Sequence, residues 1–512
     1  MRRLFAAGIA LLFVTASAFA EGDLKGVPTT NNEDRIMDNA AQVKTYPPPG
    51  EEDASDDYAV SVNGKPVFVY RARVSAVPHN QVWPGYQRPL DQTEIASFAY
   101  WDMSGPVTVE VVSKRPFNRV AIRPTSYGIQ PAVEDRKITF QMLCPGQITV
   151  ELDGPHYALH LFADPLEEDA PNPDDPDILY FGPGVHRPGK IMLKTGQTVY
   201  IAGGAVVHTS IRGAGVSNIS VLGRGIVDTS TFERQEGGGG ISLHNCDNVK
   251  IDGVIFRDPN VWTVTPRGCR NIAISNIKLI GLWRYNADGI DIVNCQHVTI
   301  NKCFVRSFDD SIVIKGLKGT GDQPVQDVVV TGCVIWNDWG RALEIGAETV
   351  APEISRLVFR NCDIIRTVHV AIDIQHGDRA RVRDILFENI RFEIDDYTPR
   401  PQYQNTRDEK YSSTEDDTYC PRFLVLEIKK TNYSQDSERG SMQDIYVRDV
   451  VVNGKLIPES HIYGYDATHK TEDVTIENLR INGQLISNAE EGNFHIREHA
   501  SNVTFITEKG AD

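Results

Sequence analysis

The sequence predicts an all-β protein, a right-handed parallel β-helix preceded by an N-terminal antiparallel β-sandwich. Three observations predict it. From about residue 176 onward, a polar residue followed by an aliphatic one opens a recurring phrase: Asn218-Ile219, Asn248-Val249, Asn271-Ile272, His297-Val298, Asp327-Val328, Arg356-Leu357, Asp384-Ile385, Asp444-Ile445, Asp473-Val474 and Asn502-Val503. After each, apolar and polar residues alternate with the period of two that marks strands, and helical periodicity is almost absent. The intervals run from 23 to 30 residues, with a single one of 60. Such a period belongs to a solenoid, whose turns stack because no turn alone can bury its apolar face. A leucine-rich repeat has a similar period, but its Leu-x-x-Leu-x-Leu phrase is missing.

Taken from the N-terminus, Arg2 and Arg3 precede an apolar run over residues 4–14 and the small-residue ending Ala18-Phe19-Ala20. These are the parts of a cleavable export signal, so residues 1–20 are expected to be removed and the product to be secreted or periplasmic. The run is too short to span a bilayer, and no second apolar span follows. Residues 21–175 alternate over 58–62, 66–70, 107–112, 137–142 and 147–152 without a fixed period, as in a sandwich. Its expected work is to cap one end of the helix and protect the edge. The acidic, Pro-rich stretch 164–177 reads as a linker, and residues 176–512 as the helix. The interval of 60 holds either two turns or one turn with an insertion. Residues 395–420, carrying Tyr397, Tyr403, Tyr411 and Tyr419, read as that insertion and are expected to overhang a cleft.

Lys and Arg number 52 against 69 Asp and Glu, a net charge of -17. The basic residues are dispersed, which argues against nucleic acid as a partner. An apolar fraction of 41% excludes wholesale disorder. Eight cysteines in an exported chain would suggest disulfides. Yet Cys303, Cys333 and Cys362 each follow a strand-opening aliphatic by five residues, where other repeats hold Val254, Ile277 and Ile390. A position shared by Val, Ile and Cys is a packing site, so stacked free thiols are expected. No cysteine has zinc-site spacing, and neither metal nor cofactor is expected.

The chemistry concentrates in Tyr285-Asn286-Ala287-Asp288-Gly289-Ile290-Asp291-Ile292 and Ser307-Phe308-Asp309-Asp310-Ser311-Ile312-Val313-Ile314. Registering the Ile-x-Ile pairs points the isoleucines inward and lays Asp288 over Asp310, one coil apart and ~4.8 Å away in space. Asp288, Asp309 and Asp310 then cluster with Asp291 on one outer face. Like charges this close raise at least one carboxyl pKa, and a protonated acid beside ionised neighbours is what glycosidic cleavage needs. The same register brings Glu344 and Asp373 into line with Asp291, and Arg341 into line with Asp288 and Asp310. His369, Gln375 and His376 share the face. Arg341 is placed to anchor a sugar hydroxyl or carboxylate, to hold a catalytic Asp ionised, or simply to bridge to Glu344. Tyr285, Trp283, Trp336 and Trp339 are candidate stacking surfaces for sugar rings.

These motifs carry a resemblance. Asn286-Ala287-Asp288-Gly289, Asp309-Asp310 and Gly340-Arg341-Ala342-Leu343-Glu344-Ile345-Gly346 resemble, in order, the Asn-Thr-Asp, Asp-Asp and Gly-His-Gly motifs of the polygalacturonase family, glycoside hydrolase family 28. The leading sandwich and Tyr180-Phe181-Gly182-Pro183-Gly184-Val185 look more like the related family 49 of dextranases and isopullulanases. The resemblance implies Asp309 as general acid, Asp288 and Asp310 as the pair that activates water, and inversion at the anomeric carbon. The family's Arg-Ile-Lys, implicated in binding the galacturonate carboxylate, best matches Asp373-Ile374-Gln375. That replacement removes the reason for an acidic sugar at that subsite and gives a neutral or differently charged glycan more weight.

The expectation is therefore a glycoside hydrolase with Asp288, Asp309 and Asp310 as catalytic residues. Asn286, Asp291, Arg341, Glu344, Asp373, Gln375 and His376 are expected to bind a poly- or oligosaccharide. Two alternatives stand beside it: a polysaccharide lyase using Lys315 as base, and a non-catalytic glycan-binding solenoid.

Overall fold

The computed structural model describes residues 41–507 other than 169, 238, 321, 407 and 413–418. The expected export signal lies outside the described residues. No helix among them is long and apolar enough to cross a membrane.

Residues 42–165 form two facing sheets. One is built on the long strand Thr93–Ser104, with Gln42–Lys44, Tyr70–Ser75, Leu159–Pro165, Gly146–Leu152 and Val120–Arg123. The other holds Lys65–Val67, Tyr58–Val62, Val107–Ser113, Lys137–Met142 and Ala132–Glu134. Alternation supplies the core between them: Val60, Val109, Val111, Ile138, Phe140, Ile148, Val150 and Leu161 are buried together. Two expectations need correcting. The stretch 66–70 is not one strand, because the chain leaves the edge strand of one sheet after Val67 and enters the other at Tyr70. Pro66, which has no N–H to donate, sits on that edge. The pairing is also not wholly antiparallel, since Leu159–Pro165 runs parallel to Thr93–Ser104.

From Ile178 the chain winds into a parallel β-helix of three sheets, with 12, 12 and 11 strands. The ten phrase-opening residues have one conformational meaning: all sit at φ between +54° and +58°, in the left-handed region. Asn and Asp tolerate that region best because a short polar side chain bonds locally, which explains their predominance. Their side chains also form ladders from turn to turn, as where Asn248 donates to Asn218 (2.6 Å) and Asn502 to Asp473 (3.0 Å). Strand Arg381–Glu388 pairs directly with Ser441–Arg448, so the interval of 60 is one turn with an insertion. Cys303, Cys333 and Cys362 are buried, as are Cys246, Cys269 and Cys295, and all eight cysteines are free thiols.

The sandwich does not cap an end of the helix. Tyr70, Phe98, Tyr100 and Phe162 pack along its flank, on outward side chains of the second sheet from Val206 and Ile226 to Val334, Trp336 and Ile365. Buried ion pairs cross the seam, including Lys278 with both Asp164 oxygens at 2.6 Å. The second sheet is thus apolar on both faces, whereas the third carries polar and charged side chains on its outward face.

Candidate active site

The outward face of the third sheet carries the carboxylates, buried there. Strand Ile290–Val293 pairs in register with Ile312–Gly316, Arg341–Thr349 and Val370–His376. Ile290, Ile312, Leu343 and Ile372 make one inward column, and Ile292, Ile314, Ile345 and Ile374 another, all in the core. Asp291, Glu344 and Asp373 point outward between them. One step upstream, the Gly289 N–H donates to the Asp310 carbonyl and the Ser311 N–H to the Arg341 carbonyl, both at 2.8 Å. Asp288, Asp310 and Arg341 therefore lie on successive rungs, as the Ile-x-Ile register predicted.

Lys315 organises the charges. It belongs to the strand Ile312–Gly316 rather than to a turn, and it points outward by the same alternation. Its ammonium lies 3.7 Å from Asp310 Oδ2, 4.0 Å from Asp288 Oδ2 and 3.3 Å from Glu348 Oε2, with 5% of the side chain exposed. Arg341 is the second cation, with Nε 3.2 Å from Asp373 Oδ2 and a guanidinium nitrogen 3.8 Å from Asp310 Oδ1. Burial disfavours charge on Asp310, but Lys315 and then Arg341 outweigh it and hold this carboxyl below the ordinary Asp range. Asp309, facing the opposite balance, is pushed up to about 7 by burial and by the neighbouring Asp310 charge. Burial also raises Asp288 and Glu344 well above ordinary values, Asp291 to about 8 and Asp373 to about 7. Asp310 is thus held ionised while Asp309, Asp288, Asp291, Glu344 and Asp373 are pushed toward the protonated form.

The loop bearing Asp309 and Asp310 is fixed from beneath. Asn337, fully buried, donates to the carbonyls of Asp309 (2.7 Å) and Arg341 (3.2 Å) and to the hydroxyls of Ser307 and Ser311. Gly340 permits the close approach: a Cβ there would lie 2.6 Å from Asp309 C, Asp310 N and Asp310 Oδ1. Gly340→Ala is expected to cost about 1–3 kcal/mol and to lower kcat by displacing both acids, measurable by thermal unfolding and steady-state rates. Asn337 did not stand out in the sequence, and Gly340 did so only as part of the phrase Gly340–Gly346, because each acts through another turn's backbone.

Of the other predicted binding residues, Asn286 adopts φ +60° and donates to Asp288 Oδ1 at 3.3 Å. Gln375 faces outward between Gly346 and Glu427. His376 is a correction. It falls on the inward parity of Ile374, is fully buried, and its Nδ1 shares a hydrogen bond with Thr349 Oγ1 at 2.7 Å, away from the carboxylates. The aromatic expectations divide in the same way. Trp336 is buried against the sandwich, Trp283 is buried and bonded to Asp258, and Trp339 packs in the core on Phe308. Tyr285 alone reaches the rim, stacked on Tyr86 of the sandwich at 5.8 Å. Tyr403 of the insertion, 68% exposed, meets Trp339 edge-on at 5.0 Å. Gln402–Tyr403 pairs with His79–Asn80, so the insertion is anchored to a sandwich loop. Tyr433, 60% exposed, completes the rim; burial and the nearby Tyr285 and Asp309 push its hydroxyl up to about 12.

Comparison with known proteins supports a glycoside hydrolase. Residues 189–399 match the family model described as Glycosyl hydrolases family 28. "Probable polygalacturonase" of Arabidopsis thaliana is 23% identical over 226 residues, 41% of this chain and 48% of that protein. The chain thus spans about half the length of the curated relative it matches. Among solved structures, Dex49A from Penicillium minioluteum aligns with a TM-score of 0.61 at 15% identity, covering 89% of this chain and 96% of that one. An exopolygalacturonase from Thermotoga maritima aligns with a TM-score of 0.49 at 16% identity, over 65% and 83%. At these identities the structural likeness is one of fold.

Proposed function

We propose that the protein is an inverting glycoside hydrolase acting on a neutral poly- or oligosaccharide. The observation that carries this reading is the pairing of consecutive residues in opposite states: Asp309 raised to about 7 and Asp310 held ionised by Lys315 and Arg341. In the proposed reaction Asp309 gives its proton to the glycosidic oxygen as the bond to the anomeric carbon breaks. Water attacks that carbon from the opposite face, and Asp310, kept ionised by Lys315 and Arg341, takes the water's proton, with Asp288 beside it as a hydrogen-bonding neighbour. The rim tyrosines supply faces for sugar rings. Asp373 and Gln375, standing where the resemblance places Arg and Lys, offer no cation to a uronate carboxylate. A neutral glycan fits better.

Lys315 argues against a lyase. Burial works against its charge, but Glu348, Asp310 and Asp288 together raise its pKa well above the ordinary lysine value, so it holds its proton and is not a base.

The test is hydrolysis of a panel of neutral α-glucans and pectic fragments by the purified protein, with product anomers followed by proton NMR. Inverted reducing ends are expected. Retained configuration, or unsaturated products absorbing in the ultraviolet, would overturn the reading. The pH profile of kcat/KM is expected to be a bell. Because Asp309 must be protonated, the rate falls as pH rises through about 7. Because Asp310 must be ionised, the rate falls on the acid side only below the ordinary carboxylate range.

A further inference from the structure

Beyond the carboxylate cluster, the outward column of the third sheet continues. Asp373 pairs with Val425, Val425 with His461, and His461 with His495. The two imidazoles therefore stack on adjoining rungs, ring centroids 5.0 Å apart. Glu459 lies beside them, its Oε2 3.2 Å from His461 Nε2. One donor atom from each of the three residues falls within 4.8 Å of the others. The neighbouring backbone is held by Ser460 N–H to Asn493 (3.0 Å) and Phe423 N–H to Glu459 (3.0 Å).

We propose that Glu459, His461 and His495 bind one divalent transition-metal ion of the zinc class. Two imidazole nitrogens and one carboxylate oxygen are the donor set that borderline ions such as Zn²⁺ take, at ~2.0–2.2 Å. Calcium and magnesium prefer all-oxygen sites, so they fit this set poorly. Closing the donors from 4.8 Å onto one ion asks only for side-chain rotation, and Glu459 and His495 are exposed. The competing tie of Glu459 to Arg422, at 4.0 Å with both side chains about half-exposed, is a weak surface pair. An ion here would pin the strand Ser460–Tyr463 to Phe494–Ile496 and leave coordination positions open to solvent on the cleft side. It would stand two rungs, roughly 10 Å, from Asp373, so the site does not depend on the hydrolase reading. The sequence gives no sign of it, since the histidines become neighbours only when one turn stacks on the next.

The experiment uses the full chain stripped of metal by chelation and dialysis, titrated with Zn²⁺ by calorimetry and with Co²⁺ by visible absorption. One ion per chain is expected, with a ligand-field band for Co²⁺. His461→Ala and His495→Ala are each expected to weaken Zn²⁺ binding by about a hundredfold or more and to erase the band. Glu459→Gln, at an exposed position, should weaken binding about tenfold with an unchanged circular dichroism spectrum. Ca²⁺ should give no saturable heat. The proposal is overturned if the native chain takes up no ion, or if Glu459→Gln and the folded histidine variants bind as the native chain does.

Discussion

Replacing Asp309 by Asn is expected to lower kcat by about 10²–10⁴-fold while leaving the thermal midpoint close to that of the native chain. The amide matches the carboxyl in shape, and Asp309 is held mainly through its backbone: its carbonyl accepts from Asn337 and Ser307, and its N–H donates to Ala287. What is lost is the transferable proton. The alkaline limb of the pH profile near 7 should go with it, because that limb reports Asp309. Substrates with a good leaving group need less protonation and should lose the least. Native rates on an ordinary glycan would remove Asp309 from the mechanism, and an equal loss on activated and ordinary substrates would reduce it to a positioning residue.

Lys315→Met is expected to be the most damaging single change to stability, by about 3–5 kcal/mol near neutral pH, the usual consequence of deleting one partner of a buried ion pair. Asp310, Asp288 and Glu348 would lose the ammonium that sits within 4.0 Å of all three. The pH dependence has a defined sign. Asp310 is depressed in the folded state, so its contribution is present above the unfolded carboxylate pKa and fades as pH falls. Lys315 is raised, so its own contribution is complete below the ordinary lysine pKa and fades only as pH rises beyond it. The gap between native and variant should therefore narrow toward acid, in urea titrations repeated from neutral pH down to the carboxylate range. The variant should also lose activity at acid pH earlier than the native chain, since Asp310 would no longer be kept ionised. A gap that widens toward acid would contradict this account.

The solenoid was legible because its defining constraint is local. A left-handed residue followed by an inward aliphatic must be spelled out at every turn, and the ten phrases from Asn218 to Asn502 do so in Asn and Asp, with His297 and Arg356 the exceptions. Register followed from the same spelling, since Ile290, Ile312, Leu343 and Ile372 could share a column only if Asp288 lay over Asp310. The burial of His376 was legible: in Ile372-Asp373-Ile374-Gln375-His376 the alternation puts it on the inward side with the isoleucines, and only its polar side chain suggested the outward face. Trp336 failed differently: the second sheet is buried on both faces, so alternation along Val334–Asn337 carries no information about which side meets the sandwich.

The sequence alone, through short-range periodicity, determined that this chain coils into stacked strands with a row of acids on one face. Only the tertiary structure decided which of those acids keeps its charge, because that depends on Lys315 and Arg341 arriving from other turns and on the water that burial removes. It alone decided which sheet the sandwich covers, since the sandwich could have packed on any of the three and no local pattern records that it took the second.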